Sequence, residues 1–338
     1  MRFAAVTAAL LLAGNAQTSE PADRIQPYLT PQLVVEIAPG RTMNLVCRGQ
    51  GSPTVILIPG LGGWSFVWSE IQPTLSRKTR VCAWDPAGLG FSSGSPEPQD
   101  ALHQTFDLEK TLSKAHIEGP LIVAAHSAGG LVALLLADRH PSLVVGMVLI
   151  DPSIPDQTAI RERVAPAFAS FGENVPKAAA ARWAQCAARI RSGELKDGTP
   201  EFDHCTRQSF VPAEFTGLLE RLSHLNAMDP ARLDAQASAN LSLTAGAIEA
   251  INPRRRYGDM PLVVLTAGQH PMPPSVPPDV RTDAAKFFKA LAVGHKALAA
   301  LSTRGREELV PDSQHLIQLE KPGAVLRAID SVLPIPAQ

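Results

Sequence analysis

Ala125-His126-Ser127-Ala128-Gly129 sets a hydroxyl between small residues two places before it and two places after it. Small residues there let a chain turn tightly while the Ser is held in a strained conformation with Oγ exposed. The preceding run, LIVAA at 121–125, has the continuous apolar character of a buried strand. The following run, LVALLLADRH at 131–140, is helix-like and stops at Pro141. Gly129 and Gly130 mark a sharp turn between them, which a membrane span has no need of. Ser127 is therefore read at a strand-to-helix junction, with the free N–H groups of the helix facing whatever the Ser attacks. Such a hydroxyl becomes an acyl-transfer nucleophile when a His takes its proton and a carboxylate holds the His. The chain carries 9 His and 32 Asp or Glu, so residue types alone leave base and acid open.

The elements that must position these groups alternate along the chain. Strand patterns occur at 32–38, 42–49, 54–60, 80–88, 120–126, 144–151, 261–268 and 306–311, the first two joined by a Pro-Gly turn. Helical patterns occupy 64–78, 100–117, 128–140, 282–301 and 321–333. Continuous apolar runs without alternation belong to parallel strands covered on both faces. Strands alternating with helices predict an α/β fold with a mostly parallel sheet. From 153 to 258 no strand pattern appears, and the composition predicts a helical insertion. The core is then 32–152 and 259–335.

The 338 residues are 45% hydrophobic and 19% charged, with a net charge of −1, so a large core is affordable and nucleic acid has no electrostatic claim on the chain. MRFAAVTAALLLAGNAQ has the charge, short apolar stretch and small residues of a secretory signal. Residues 1–16 are expected to be that signal and 17–31 a polar lead-in. The expectation is a secreted or periplasmic protein with no stable membrane span after cleavage.

On these residues the sequence resembles the α/β-hydrolase fold family. The pentapeptide around Ser127 resembles its nucleophile elbow, with Ala125 where the family more often has Gly. WDPAGLGFS at 84–92 resembles the family's turn after the fourth strand, which makes Asp85 structural. PDSQHLIQLEKP at 311–322 contains H-x-I-x-x-x-x-P and resembles the surroundings of the family's base. The resemblance implies an eight-stranded sheet with a helical cap, Ser127 as nucleophile and His315 as base; His270 and His295 are its rivals. It also implies backbone N–H groups of Leu61 and Ala128 as an oxyanion hole, although Pro59-Gly60 stands where the family usually has His-Gly. The same Gly60-x-Gly62 loop fails as a dinucleotide loop, because Ser65 falls at the third glycine position. For the acid, the usual strand ends TAGQHPMPPS without a carboxylate. Asp151, at the end of the preceding strand, is favoured, with Asp283 or Asp279 as the fallback. Trp64 and Phe66, with Trp68 beside them, are expected to line a substrate pocket, and His126 is expected to point away from the site as a structural residue.

Four Cys allow three pairings. The strand order of the family brings Cys47 beside Cys82, and Cys186 and Cys205 share the insertion, so two disulfides are expected. No His, Cys or carboxylate cluster has metal-ligand spacing, and neither metal nor cofactor is expected. The implied reaction is hydrolysis of a small acyl substrate, with an ester as the default. The alternatives are an aminopeptidase, an acyltransferase or a cofactor-free haloperoxidase on the same triad, and a non-catalytic binding protein on this fold.

Overall fold

The computed structural model describes residues 24–206, 215–245 and 247–334. The expected signal segment and the first part of the lead-in lie outside the described residues. The end of the lead-in does more than space: Gln26–Tyr28 forms a 3-10 turn, and Tyr28 is buried against Phe66 with its hydroxyl donating to Gln72 Oε1.

One sheet contains β1 (Leu33–Ala38), β2 (Arg41–Arg48), β3 (Thr54–Ile58), β4 (Val81–Trp84), β5 (Leu121–His126), β6 (Val144–Ile150), β7 (Leu262–Ala267) and β8 (Gly305–Val310). Their order is β1-β2-β4-β3-β5-β6-β7-β8. The pairs β1/β2 and β2/β4 are antiparallel, and the remaining pairs are parallel. Successive side chains of a strand point to opposite faces. Ile56, Ile58, Val123, Ala125, Leu149 and Val264 therefore pack beneath the helices Ala101–Lys114, Gly129–Arg139 and Pro278–Ala299. Val55, Leu57, Ile122, Ala124, Val148 and Leu265 meet Val67, Trp68 and the helix Pro322–Val332 on the other face. With apolar neighbours on both faces, every residue of β3, β4, β5 and β7 is buried, and the sequence reads as unbroken apolar runs. The outer strand β8 instead carries Arg306, Glu307 and Glu308, whose charges discourage further strand pairing.

Two expected elements are shorter than their patterns. The strand at 80–88 stops at Trp84, because Pro86 lacks an N–H and Asp85 captures the turn that follows: its carboxylate accepts from Ser65 N, Phe91 N and Asn44 Nδ2. The helix at 64–78 splits into a 3-10 turn Ser65–Trp68 and a helix Gln72–Leu75. Pro73 fits only the first turn of a helix, so it starts a new one rather than continuing the old.

Between β6 and β7 the described residues form helices Gln157–Val164, Pro166–Arg191, Pro200–Thr206, Thr216–Met228 and Ala231–Ala245, a 3-10 turn Ile248–Ala250, and no strand. Cys186–Cys205 ties two of these helices together, and Cys47–Cys82 joins directly opposed residues of β2 and β4, Cα atoms 4.0 Å apart. No described helix is long and apolar enough to cross a membrane. A buried cation fastens the helical segment to the core. Arg232 donates to Asn226 Oδ1 (2.9 Å), Gly90 O (2.8 Å) and Ser92 O. Gly88 leaves room for this joint, since a Cβ there would lie 2.3 Å from Arg232 O. Asp229 adds a bond from Gly94 N (2.8 Å).

Arg232→Met keeps the length of the side chain but leaves the Gly90 and Ser92 carbonyls without this donor. The expected loss is about 2–5 kcal/mol of unfolding free energy, read by urea denaturation. A midpoint equal to wild type would show that this joint does not hold the segment.

Candidate active site

Ser127 and Asp151 follow β5 and β6 immediately, and both have left-handed backbone, φ 52° and 42°. Such angles disfavour a side chain with a Cβ, and persist where surrounding structure fixes them. Here Ser127 N donates to Ile150 O (3.0 Å), Ser153 N to Ser127 O (2.9 Å) and Asp151 N to Leu265 O (2.7 Å). The turn also requires close approach. A Cβ on Gly129 would lie 2.3 Å from Pro59 O, and one on Gly60 would lie 2.9 Å from both His126 Nδ1 and Ser127 Cβ.

The loop between β8 and the helix Ile317–Glu320 brings His315 to these strand ends. His315 Nε2 lies 2.9 Å from Ser127 Oγ, and His315 Nδ1 lies 2.6 Å from Asp151 Oδ2. Asp151 Oδ1 accepts from Ala267 N at 3.0 Å. An ionised carboxylate only accepts, so Nδ1 carries the proton and Nε2 presents its lone pair to the Ser hydroxyl. Burial acts to raise the Asp151 pKa, but the His315 hydrogen bond and charge and the Ala267 N–H outweigh it and hold the carboxyl below its ordinary value. Glu320 steadies the loop by accepting from Gln314 N at 2.8 Å.

The other expected positions separate. Asp279 is in the first turn of the helix Pro278–Ala299. Asp283, further along that helix, accepts from Ala167 N (2.9 Å) and Lys286 Nζ (2.8 Å), and the lysine keeps its pKa low. Neither carboxylate bonds to His315. His295 is buried beneath the site, donating through Nε2 to Pro152 O (2.8 Å). His270 stacks on Phe288, ring centroids 3.8 Å apart. Away from the site, Arg255 is buried against Asp138.

His126 does not point away from the site. Its Nε2 lies 2.9 Å from His315 O, and the two rings stand 4.6 Å apart. A carbonyl only accepts, so His126 donates from Nε2 and anchors the backbone of His315. Burial, followed by the nearby His315, lowers its pKa to about 3, so His126 is uncharged near neutral pH. Adjacency to Ser127 was its one sequence signal.

Two cavities open on Ser127 and His315, one of ≈ 380 Å³ and one of ≈ 420 Å³. Leu61 and Ala128 line the first together with Ser127, and neither backbone N–H has an acceptor among the described residues. Both are therefore free to donate to an oxygen on a carbon bonded to Ser127. Trp64 and Phe66 are not in these walls. They are enclosed with Tyr28, Val46, Leu89 and Phe91, because the 3-10 turn carrying Phe66 packs inward against β2 and the lead-in. Trp68 is likewise buried, against the sheet. The aromatic wall comes from Phe287 and Phe288, with Met272 and Leu291. A helix pattern at 282–301 held no sign of which of its apolar residues would face a cavity. No group of three or more His, Cys, Asp or Glu among the described residues is placed to hold a metal ion.

Comparison with known proteins adds four likenesses. A model described as the alpha/beta hydrolase family matches residues 55–328. A putative carbamate hydrolase RutD of Yersinia enterocolitica is 35% identical over 122 residues, 34% of this chain and 44% of that protein. The chain spans less than half the length of the curated relatives it matches, 16% to 44% in the first four. Among solved structures, a thermophilic esterase from Thermogutta terrifontis aligns with TM-score 0.52 at 18% identity, covering 89% of this chain and 97% of that one. A structure from work on epoxide hydrolases in metagenomes from hot environments aligns with TM-score 0.61 at 18% identity, covering 90% and 99%. At these identities the structural likeness concerns the fold.

The burial of His126 has a measurable consequence. Its pKa is depressed to about 3 in the folded chain, against about 6.5 for an unperturbed His. Below that ordinary value the unfolded chain binds a proton that the folded chain refuses. The stability is therefore fully present above about pH 6.5 and is lost as the pH falls toward 3, by at most about 1.4 kcal/mol per unit. His126→Gln should flatten the slope of unfolding free energy against pH between those values. Identical slopes in the two proteins would contradict a neutral, buried His126.

Proposed function

The chain belongs to the alpha/beta hydrolase family, and from that premise we propose that it is a serine hydrolase cleaving a carboxylic ester or a related acyl bond. Ser127 is the nucleophile, His315 the base and Asp151 the acid. The observation that carries this reading is the continuous line from Asp151 Oδ2 through His315 to Ser127 Oγ, with contacts of 2.6 and 2.9 Å. A Ser rather than an Asp at the elbow favours an acyl-enzyme over the ester intermediates of epoxide hydrolases and haloalkane dehalogenases.

The steps follow from the geometry. Ser127 Oγ attacks the substrate carbonyl as its proton passes to His315 Nε2. The carbonyl oxygen becomes an oxyanion, which the N–H groups of Leu61 and Ala128 meet. Losing one such donor typically costs about 3–4 kcal/mol of transition-state stabilisation. Collapse breaks the bond to the leaving group, which takes the proton from His315 and departs as an alcohol. Water then gives a proton to His315 and attacks the acyl carbon. The second collapse releases the acid and returns the proton to Ser127. Asp151 remains ionised throughout, fixing the tautomer of His315 and stabilising its positive form.

The helices between β6 and β7 act as a cap in this reading. Gln157 from their first helix lines the cavity at Ser127, which supports the assignment of 153–258 as the segment that covers the site. Two disulfides and the signal pattern at the N-terminus support an oxidising, extracytoplasmic location.

A fluorophosphonate probe should label the wild-type chain on Ser127 and leave Ser127→Ala unlabelled; Ser127-independent labelling would defeat the assignment. Asp151→Asn should lower kcat on a p-nitrophenyl ester by roughly 10³–10⁴-fold. Asp279→Asn and Asp283→Asn should stay within a fewfold of wild type. Near-normal turnover by Asp151→Asn would move the acid elsewhere.

A further inference from the structure

His295 belongs to the helix Pro278–Ala299, and its side chain is wholly enclosed. Both ring nitrogens are engaged. Nε2 lies 2.8 Å from Pro152 O, and Nδ1 lies 3.0 Å from Thr266 Oγ1. A carbonyl only accepts, so Nε2 carries the proton. Burial holds the pKa of His295 below its ordinary value, which leaves the ring neutral near neutral pH. In that tautomer Nδ1 is an acceptor, so the Thr266 hydroxyl donates to it. The direction of both bonds is thereby set.

Their far ends frame Asp151. Pro152 follows Asp151 directly. The peptide unit whose oxygen His295 holds is the one whose nitrogen, Ser153 N, donates to Ser127 O at 2.9 Å. Thr266 immediately precedes Ala267, whose N–H meets Asp151 Oδ1 at 3.0 Å. The ring therefore spans from the backbone leaving the acid to the residue before the acid's own donor. Asp151 needs such support, because its backbone is left-handed, φ 42°. A residue with a Cβ keeps that angle only where its surroundings determine it. The bond from Asp151 N to Leu265 O holds the chain entering the turn, and His295 holds the chain leaving it. Pro152 has no N–H with which to add a bond of its own.

We propose that His295 is a positioning residue for the acid: by bridging Pro152 O and Thr266 Oγ1, it keeps the Asp151 carboxylate within reach of His315 Nδ1. The consequence for turnover rests on the hydrolase reading. His295 is not in the walls of either cavity at Ser127, so it acts through Asp151 and not on the substrate. A Leu in its place leaves the Pro152 carbonyl and the Thr266 hydroxyl without these partners and frees the turn at Asp151 to relax.

The test is a kinetic cycle with a structural readout beside it. On p-nitrophenyl butyrate, His295→Leu should lower kcat by roughly 10²-fold, the cost of misplacing a catalytic group by about 1 Å, with KM within about twofold of wild type. His295→Gln, whose amide offers a donor to Pro152 O, should recover kcat to within about tenfold of wild type. In Asp151→Asn protein the added His295→Leu should cost less than about threefold, because effects routed through one residue do not add. A merely structural role would give the same added loss in both backgrounds. If His295→Leu does not fold, Thr266→Val, which removes the donor to Nδ1, goes through the same cycle, and its loss should likewise vanish in Asp151→Asn protein. Near-normal kcat in His295→Leu, a loss of full size in the Asp151→Asn background, or no recovery with Gln would overturn the proposal. Proton NMR of the His315 Nδ1–H needs no turnover. Its low-field resonance should persist in His295→Gln and be shifted upfield or lost in His295→Leu; an unchanged resonance would also overturn the proposal. That change in a chain that hydrolyses no ester would leave the positioning role standing and remove the hydrolase reading.

Discussion

One imidazole is held from three directions, and the placement of the strands serves that grip. His315 meets Asp151 through Nδ1 and Ser127 through Nε2, while its own carbonyl is held by His126. The first two partners stand at the ends of neighbouring strands, β5 and β6, and His315 arrives on the loop after β8 from beyond β7. A parallel sheet aligns those ends on one edge, which is where open α/β sheets assemble their sites. The left-handed backbone at Ser127 and Asp151 turns both side chains out of the strand direction. That strain is held by the ladder bonds from Ser127 N and Asp151 N into β6 and β7.

The fold was legible because its signals are local and repeated. Apolar runs mark strands buried on both faces, and their expected limits differ from the observed ones chiefly where Asp85-Pro86 and Pro73 redirect the chain. Ser127 could be read at its strand-to-helix junction, since small residues and a change of periodicity surround it. The carboxylate was harder. Asp151, Asp279 and Asp283 are each plausible by position, and the bond to His315 depends on a distance that periodicity does not encode. Trp64 and Phe66 illustrate the same limit: an aromatic pattern specifies an apolar environment but not whether that environment is a pocket or a core. Tyr28, from a lead-in read as polar, helps make it core. His126 was read from its place next to Ser127 alone, which does not show the loop that comes to meet it.

The helical segment and the core meet around the loop that carries Leu61. On one side lies the cavity of Ser127, walled by Phe287 and Phe288 from the helix after β7. On the other lie Gln99 and Gln104 from the core and Gln236 and Asn240 from the helical segment. Arg232 and Asp229 fasten that segment to the turn after β4, so the positions of Gln236 and Asn240 are fixed by the joint beside them. The bond that orients Gln236 ends on Gly88 O, in the loop that Arg232 clamps.

The central claim is that Ser127, activated by His315, carries the acyl group between two half-reactions. Rapid acid quench of the chain during turnover of p-nitrophenyl butyrate, followed by peptide mass spectrometry, tests it most directly. The account predicts a butyryl group on the peptide bearing Ser127, formed as nitrophenol is released and missing in His315→Ala. Nitrophenol release by the wild-type chain, with Ser127 unmodified at every quench time from milliseconds to minutes, would contradict it.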